Sequence, residues 1–268
     1  MSVQKKIKKL RAVLRHGRGV SGKLALASIF CKNGGLLPFG KNKKMLCIPT
    51  RWSGAKTLTL RDNAADAILF SEVLAEEDYA ILRTLHLEPD CIFDVGANIG
   101  LASFFLRTLY PKASIVGFEP SPKEREILEQ NYADWSGCTA RPYAVGAEDN
   151  DDVRFASDSE KSGGQHLAAP GEAGDWNFIT VKMRRLEKLI RDEKLPAPDL
   201  VKMDIEGGEV DALHGMGEYL DRPAAYVLET HSPALHEECL AILTRSGYRV
   251  RLDVARNADA RILCMTKS

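Results

Sequence analysis

The chain has 268 residues, 44% hydrophobic and 28% charged, with 37 basic and 37 acidic side chains and a formal net charge of zero. A chain of this length and composition buries roughly three-quarters of its unfolded surface in an ordinary globular core, and no apolar run approaches the ~18–20 residues of a membrane span. Its six cysteines (Cys31, Cys47, Cys91, Cys138, Cys239 and Cys264) form no C-x-x-C pair, which argues against a zinc site or disulfide framework and for a reducing, cytoplasmic setting.

The neutral total hides a segregation. Residues 1–61 hold fifteen of the Lys and Arg residues and no Asp or Glu, so the remainder carries 22 basic residues against all 37 acidic ones. Such asymmetry points to a negatively charged partner for the first segment. Residues 3–16 read as a basic amphipathic helix with Ile7, Leu10 and Leu14 on one face, ended by Gly17 and Gly19. Residues 20–61 read as irregular, apart from short strand-like runs at Met45–Ile48 and Leu58–Leu60. The expected organisation is a basic extension over 1–64 and a catalytic domain over 65–268. An anionic membrane surface is the favoured partner of residues 1–20. The same charge would attract nucleic acid, but the segment lacks the aromatic interleaving of nucleic-acid readers.

Helical pattern resumes over Ala65–Leu85, interrupted near Glu77-Asp78. From Cys91 onward strands alternate with helices. The strands are expected at Cys91–Val95, Ser114–Phe118, Thr139–Val145, Leu200–Asp204, Ala224–Glu229, Tyr248–Val254 and Arg261–Met265. Helices are expected at Ile99–Leu109, Lys123–Tyr132, Leu186–Glu193, Glu209–Met216 and Pro233–Arg245. The pattern predicts an α/β fold: a mostly parallel seven-stranded sheet with helices on both faces and an antiparallel C-terminal hairpin. Glu148 to Asn177, with Lys161-Ser162-Gly163-Gly164, reads as a polar flap or binding loop.

In such sheets ligands sit beyond the carboxyl ends of the strands. The first strand ends in Asp94-Val95-Gly96-Ala97-Asn98-Ile99-Gly100, where Gly96 and Gly100 suit positive φ and Asn98 suits the helix N-cap. This turn lacks the G-x-G-x-x-G spacing that approaches a pyrophosphate, and Asp94 would repel a phosphate while attracting an ammonium. That asymmetry favours S-adenosylmethionine. The second strand ends in Glu119-Pro120-Ser121-Pro122, a carboxylate placed for ribose hydroxyls and a Ser placed to cap the next helix. Asp204, Glu206 and Glu209 crowd the fourth strand end beside Gly207 and Gly208. Their repulsion calls for a cation, a donor or a proton, although Glu209 reads more simply as the acidic first turn of a helix. The fifth strand ends in Glu229-Thr230-His231, where His231 can serve as a general base.

These four segments, in order and at this spacing, resemble the FkbM family of methyltransferases: D-V-G-A-N-x-G at Asp94–Gly100, F-E-P-x-P at Phe118–Pro122, K-x-D-x-E-G-x-E at Lys202–Glu209 and E-x-H at Glu229–His231. The resemblance spans about Ala65 to Met265, leaves the basic segment out, and matches the family's L-x-G step only roughly at Leu213-His214-Gly215-Met216. It implies a Rossmann-like class I fold and S-adenosylmethionine-dependent methylation of a hydroxyl on a sugar, glycolipid or secondary metabolite. The cofactor would be held by Asp94, Gly96, Ala97, Asn98, Gly100, Ser103, Glu119, Pro120, Ala144 and Asp204. Asp204, Glu206, His231 and Glu229 would carry catalysis, and a divalent metal on these four is compatible but not required. Two other classes stay open: an NAD-dependent oxidoreductase or epimerase, and a non-catalytic module binding a membrane surface or nucleic acid. The acceptor is a small molecule or glycan, and the protein could sit at the inner face of a membrane.

Overall fold

The computed structural model describes residues 3–38, 44–52, 55–76, 78–158 and 164–267. Its centre is a seven-stranded sheet built from β3 (Cys91–Val95), β4 (Ser114–Phe118), β5 (Cys138–Arg141), β10 (Leu200–Met203), β11 (Ala225–Thr230), β12 (Arg249–Ala255) and β13 (Arg261–Thr266). The strand order is β12-β13-β11-β10-β3-β4-β5. All neighbours pair parallel except β13, which runs antiparallel to β11 and β12. This is the mostly parallel sheet with an antiparallel C-terminal hairpin expected from the alternation of strand and helix, and the Rossmann-like class I fold that the resemblance implies.

The short central strands are buried on both sides, so they read as unbroken apolar runs and alternate residues feed two cores. Ile92, Ile115, Leu200 and Val227 face a core completed by α4 (Leu101–Leu109) and α5 (Pro122–Ala133). Phe93, Val116, Val201, Met203 and Leu228 face the other, covered by α6 (Leu186–Asp192), α7 (Glu209–Gly215) and α8 (Pro233–Arg245).

The N-terminal region departs from its sequence reading. After α1 (Val3–Leu14) comes a second helix, α2 (Gly19–Asn33), where an irregular segment was expected, and the strand-like runs at Met45–Ile48 and Leu58–Leu60 fall within an antiparallel hairpin of β1 (Met45–Trp52) and β2 (Ala55–Arg61). The helix escapes a periodicity reading because its apolar residues surround it: Leu26 and Ile29 point inward while Val20 and Leu24 are exposed. Gly22 lets α2 press on β1, since a Cβ there would lie 2.4 Å from the Pro49 carbonyl. Val13, Leu26, Ile29, Ile48, Leu58 and Leu60 join the same apolar core as α4 and α5. The Asn131 side chain of α5 accepts from Thr59 N at 2.7 Å and donates to Thr59 O at 3.0 Å, satisfying an edge of the hairpin. Arg61 closes the joint by pairing with Asp66 (2.7 Å) and Glu124 (2.5 Å). The following helical stretch breaks as expected, into α3 (Ala64–Phe70), a π-helical segment (Ser71–Glu76) and a 3-10 turn (Ala80–Thr84).

Two further corrections concern the middle of the chain. The single strand expected over Thr139–Val145 divides at Pro142, which has no N–H to give a ladder; β5 stays in the main sheet and β6 (Tyr143–Val145) leaves it. The expected polar loop instead contains two strands, β7 (Asn150–Ser157) and β8 (His166–Leu167), which join β6 and β9 (Asn177–Arg184), a strand the sequence reading did not expect, in a second sheet of order β6-β9-β7-β8. Phe155, Val181, Met183 and Ala144 form its small core. Its polar outer face, including Arg154 stacked 3.4 Å over the Phe178 ring, disguises the strands in sequence. Lys161, Ser162 and Gly163 lie outside the described residues.

Candidate active site

Because β11, β10, β3 and β4 lie side by side and parallel, their carboxyl ends meet at one edge of the molecule. The turn after β3 is held from both neighbours. Gly96 N and Ala97 N donate to the Phe118 carbonyl at 3.1 and 3.0 Å. Gly96 sits at φ +78, and a Cβ there would fall 1.8 Å from the Asp204 carbonyl oxygen, so only glycine fits between β3 and β10. Lys202, opposite Asp94 in the β3–β10 register, donates its Nζ to the Gly96 carbonyl at 2.9 Å and lies 3.0 Å from Asp94 Oδ1.

This geometry alters several expected roles. Asp94 is fully buried, paired with Lys202 and accepting from Ser103 Oγ at 2.5 Å, so it braces the turn from beneath and does not face an open space. Ser103, Ala97 and Gly100 are likewise beneath the surface of the cleft. Asn98 does not cap α4: it adopts φ +51, its Oδ1 accepts from Ile99 N at 2.8 Å, and Gly100 at φ +91 holds the N-cap position. Ser121 occupies the N-cap of α5 without a capping side-chain bond, its hydroxyl lying 3.2 Å from that of Ser157.

Beyond the turn a cleft opens at the ends of β3, β4 and β10. Gly96, Asn98, Glu119, Pro120, Ala144 and Asp204 line it, with Phe118, Val145, Phe155 and Ile205 as apolar walls. Glu119 is the buried polar centre: Oε2 accepts from Asn98 N at 2.9 Å and Oε1 from Ser121 N at 2.8 Å. Burial pushes its carboxyl up to about 8. As a carboxylate, each oxygen keeps a second lone pair, enough for a ribose diol.

A second cleft adjoins the first and shares Leu69, Asp204 and Glu206 with it. Its other walls include Ile68, Glu72, Trp176, Glu229, His231 and Arg256. His231 sits at the junction. Its Nδ1 donates to Glu209 Oε1 at 2.9 Å, and its Nε2 faces Glu206 (3.4 Å), Asp204 (3.6 Å) and Glu229 (3.9 Å). Burial pushes the imidazole down, but the Glu209 bond and the charges of Asp204 and Glu206 outweigh it and raise it to about 9. Glu206 is raised to about 7 by burial and then by Asp204, and Glu229 to about 8 by the same causes. Arg256 holds Glu229 and reaches Glu72 (2.9 Å) and Asp78 (3.1 Å), tying the π-helical segment to the strand tip. Asp204, Glu206 and His231 present ligand atoms within 4.8 Å of one another, an oxygen and nitrogen set suited to a divalent ion.

Glu229 thus lies within reach of His231, as the sequence reading expected, but Glu209 gains a role that reading gave to helix capping. Lys202 and Arg256 were also missed. For Lys202 the signal was present, because a Lys and an Asp in adjacent apolar strands must pair if the strands align. Arg256 offered none, lying in a polar turn far from any motif. His166 is bonded to Gly164 O (2.9 Å) and Glu172 (3.0 Å) and lines neither cleft.

A family profile described as the methyltransferase FkbM domain matches residues 94–250. The hexuronic acid methyltransferase AglP of Haloferax volcanii is 29% identical over 146 residues, 54% of this chain and 57% of AglP, so the match spans little more than half of that relative. The 31-O-demethyl-FK506 methyltransferase FkbM of Streptomyces tacrolimicus is 28% identical over 221 residues, 70% of this chain and 84% of that protein. Among solved structures, Aeropyrum pernix fibrillarin in complex with S-adenosyl-L-methionine aligns with TM-score 0.45 and 12% identity, covering 85% of each chain.

Proposed function

The chain belongs to the FkbM methyltransferase family, and from that premise we propose that it methylates a hydroxyl oxygen of a sugar, glycolipid or secondary metabolite, using S-adenosylmethionine. The observation that carries this reading is the junction of the two clefts at Asp204, Glu206 and His231. A donor in one and an acceptor in the other would meet beside a proton-accepting cluster.

The residues present fit the cofactor. Glu119 offers two oxygens to a ribose, apolar side chains flank it as walls for a base, and Asp204 and Glu206 supply negative charge for the ammonium of the amino-acid head. Asp94, Ala97, Gly100 and Ser103 would act through the shape of the turn, and Gly96, Asn98, Pro120 and Ala144 by contact. The bound cofactor supplies the electrophilic methyl group. The chain must orient the acceptor, remove its proton and exclude water. We assign the proton to His231 Nε2, whose ring is oriented by Glu209, with Asp204, Glu206 and Glu229 positioning the hydroxyl. Trp176 and Ile68 give the acceptor cleft an apolar side suited to a sugar ring face.

This assignment requires no metal at Asp204, Glu206, Glu229 and His231, so methyl transfer should survive exhaustive chelation. The six cysteines, none of them paired, support a cytoplasmic setting. Among the described residues no helix is long and apolar enough to cross a membrane.

Thermal unfolding with S-adenosylmethionine, S-adenosylhomocysteine and NAD tests the reading. A ligand at 100 times its Kd adds about 2.7 kcal/mol, a rise of roughly 5–10 °C at this size. A rise with both sulfur nucleosides and none with NAD is expected. A rise with NAD alone would favour the oxidoreductase reading.

A further inference from the structure

We propose that α1, α2 and the turn after α2 form a docking surface for an anionic lipid bilayer, with Val20, Leu24, Leu36 and Leu37 entering the headgroup region. These four side chains are 75%, 64%, 75% and 45% exposed. Of the nine large hydrophobic side chains exposed among the described residues, six lie between residues 7 and 45. Val20 and Leu24 are one helical turn apart on the face of α2 opposite Leu26 and Ile29, which are buried in the core. An apolar stripe facing water on a helix already anchored by its other side marks an interaction surface.

The structure reassigns which apolar face meets the membrane. Val13 of α1 is fully buried and Leu14 packs against the same core, so the stripe containing Leu10 and Leu14 turns mainly toward the protein. From α1, Ile7 remains 45% exposed, and the helix chiefly contributes charge. Lys6, Lys8, Arg11 and Lys23 are exposed on the two helices, and no acidic residue precedes Asp62. Cations surrounding exposed aliphatic groups match an anionic bilayer, where attraction and shallow insertion add. A nucleic acid would use the charge but leave the aliphatic groups unexplained, since among the described residues the exposed large hydrophobics include no aromatic ring on which a base could stack.

The location gives the surface a purpose. Helix α2 packs on α3, and α1 packs on the π-helical segment. Ile68, Leu69 and Glu72 of those elements line the acceptor cleft. A bilayer seated on the two N-terminal helices would therefore be one helix layer away from the elements that wall the acceptor cleft, an arrangement compatible with a lipid-linked acceptor. That corollary rests on the proposed methyl transfer. The docking surface does not.

The test is flotation of the full chain with phosphatidylcholine vesicles, with and without phosphatidylglycerol. The intact chain should float with the anionic vesicles and little with the neutral ones. The double substitution Val20→Asp and Leu24→Asp should lower partitioning by about tenfold or more, with an unchanged melting midpoint. Should that variant unfold, Leu36→Asp with Leu37→Asp, outside both helices, is expected to give the same loss. No flotation of the intact chain would overturn the proposal. So would flotation undiminished in a folded variant, which would mark the segment as a general polyanion binder. Normal flotation with no melting response to S-adenosylmethionine would instead leave the docking surface standing and remove the methyltransferase reading.

Discussion

His231 Nδ1 lies 2.9 Å from Oε1 of Glu209, the first residue of α7 and a carboxylate with no exposed surface. Glu209 Oε1 also accepts from Gly207 N at 3.0 Å, while Oε2 has no hydrogen-bond partner among the described residues. A buried carboxylate bonded to one ring nitrogen fixes the tautomer and aims the other nitrogen, here at the junction of the two clefts.

The pH dependence of methyl transfer should follow from that bond. With His231 raised to about 9, the ring is charged at neutral pH, and kcat/KM for the acceptor should climb with pH to a plateau above about 9. Glu209→Gln keeps an acceptor for Nδ1–H but removes the anion, so the rising limb should move about one unit or more toward acid. His231→Ala should abolish the limb and lower kcat by about 10²–10⁴-fold. A limb that stays in place in both variants would remove His231 as the base.

Gly96→Ala should damage the fold as well as the site. The substitution puts a Cβ onto the Asp204 carbonyl at a backbone angle of +78°. Strain and overlap together should cost at least about 2 kcal/mol, a drop of roughly 5 °C or more in midpoint. The melting response to S-adenosylmethionine should disappear with it. Unchanged melting would show that β3 and β10 are looser here than the contact implies.

Arg256→Met separates the two clefts. Arg256 lines the acceptor cleft alone, where it holds Glu229, Glu72 and Asp78. Its loss should raise the acceptor KM by about tenfold or more and cost on the order of 3 kcal/mol of stability, with little change in the Kd for S-adenosylmethionine measured by calorimetry. Equal losses for both ligands would contradict the division.

A second histidine should govern acid stability. His16 is buried against Phe104 and accepts from the Trp52 indole N–H at Nδ1 (3.3 Å), so burial and then the charges of Arg15, Arg83 and Arg51 push it down to about 4. Its folded value is below the unfolded one. The unfolded chain therefore takes up the proton first, and the contribution present above about pH 6.5 is lost as pH falls toward 4, by on the order of 3 kcal/mol. His16→Gln, which keeps an acceptor but cannot titrate, should show a shallower loss in urea melts across that window.

The central sheet was legible in sequence because its strands are apolar on both faces and its motifs sit at strand ends. The small sheet was not, since β7 buries little beyond Phe155, Ala156 and Ser157 and presents charge elsewhere. Helix α2 was hidden by apolar residues on both sides, for which no single stripe exists. At the site, the order of motifs brought Asp204, Glu206, Glu229 and His231 together correctly. The inward turn of Asp94 was missed because a carboxylate at a strand tip looks the same in sequence whether it faces a ligand or a buried lysine.

That lysine also bears on how the chain reaches its topology. β3 and β10 are far apart in sequence, yet they must become neighbours at the point where the chain changes direction across the sheet. A shift of one residue between them would send Lys202 and Asp94 to opposite faces. Two lone charges would then be buried, at a cost of several kcal/mol. The ion pair that shapes the ligand turn therefore also acts as an assembly check, making the correct neighbour and alignment the only cheap way to close the middle of the sheet.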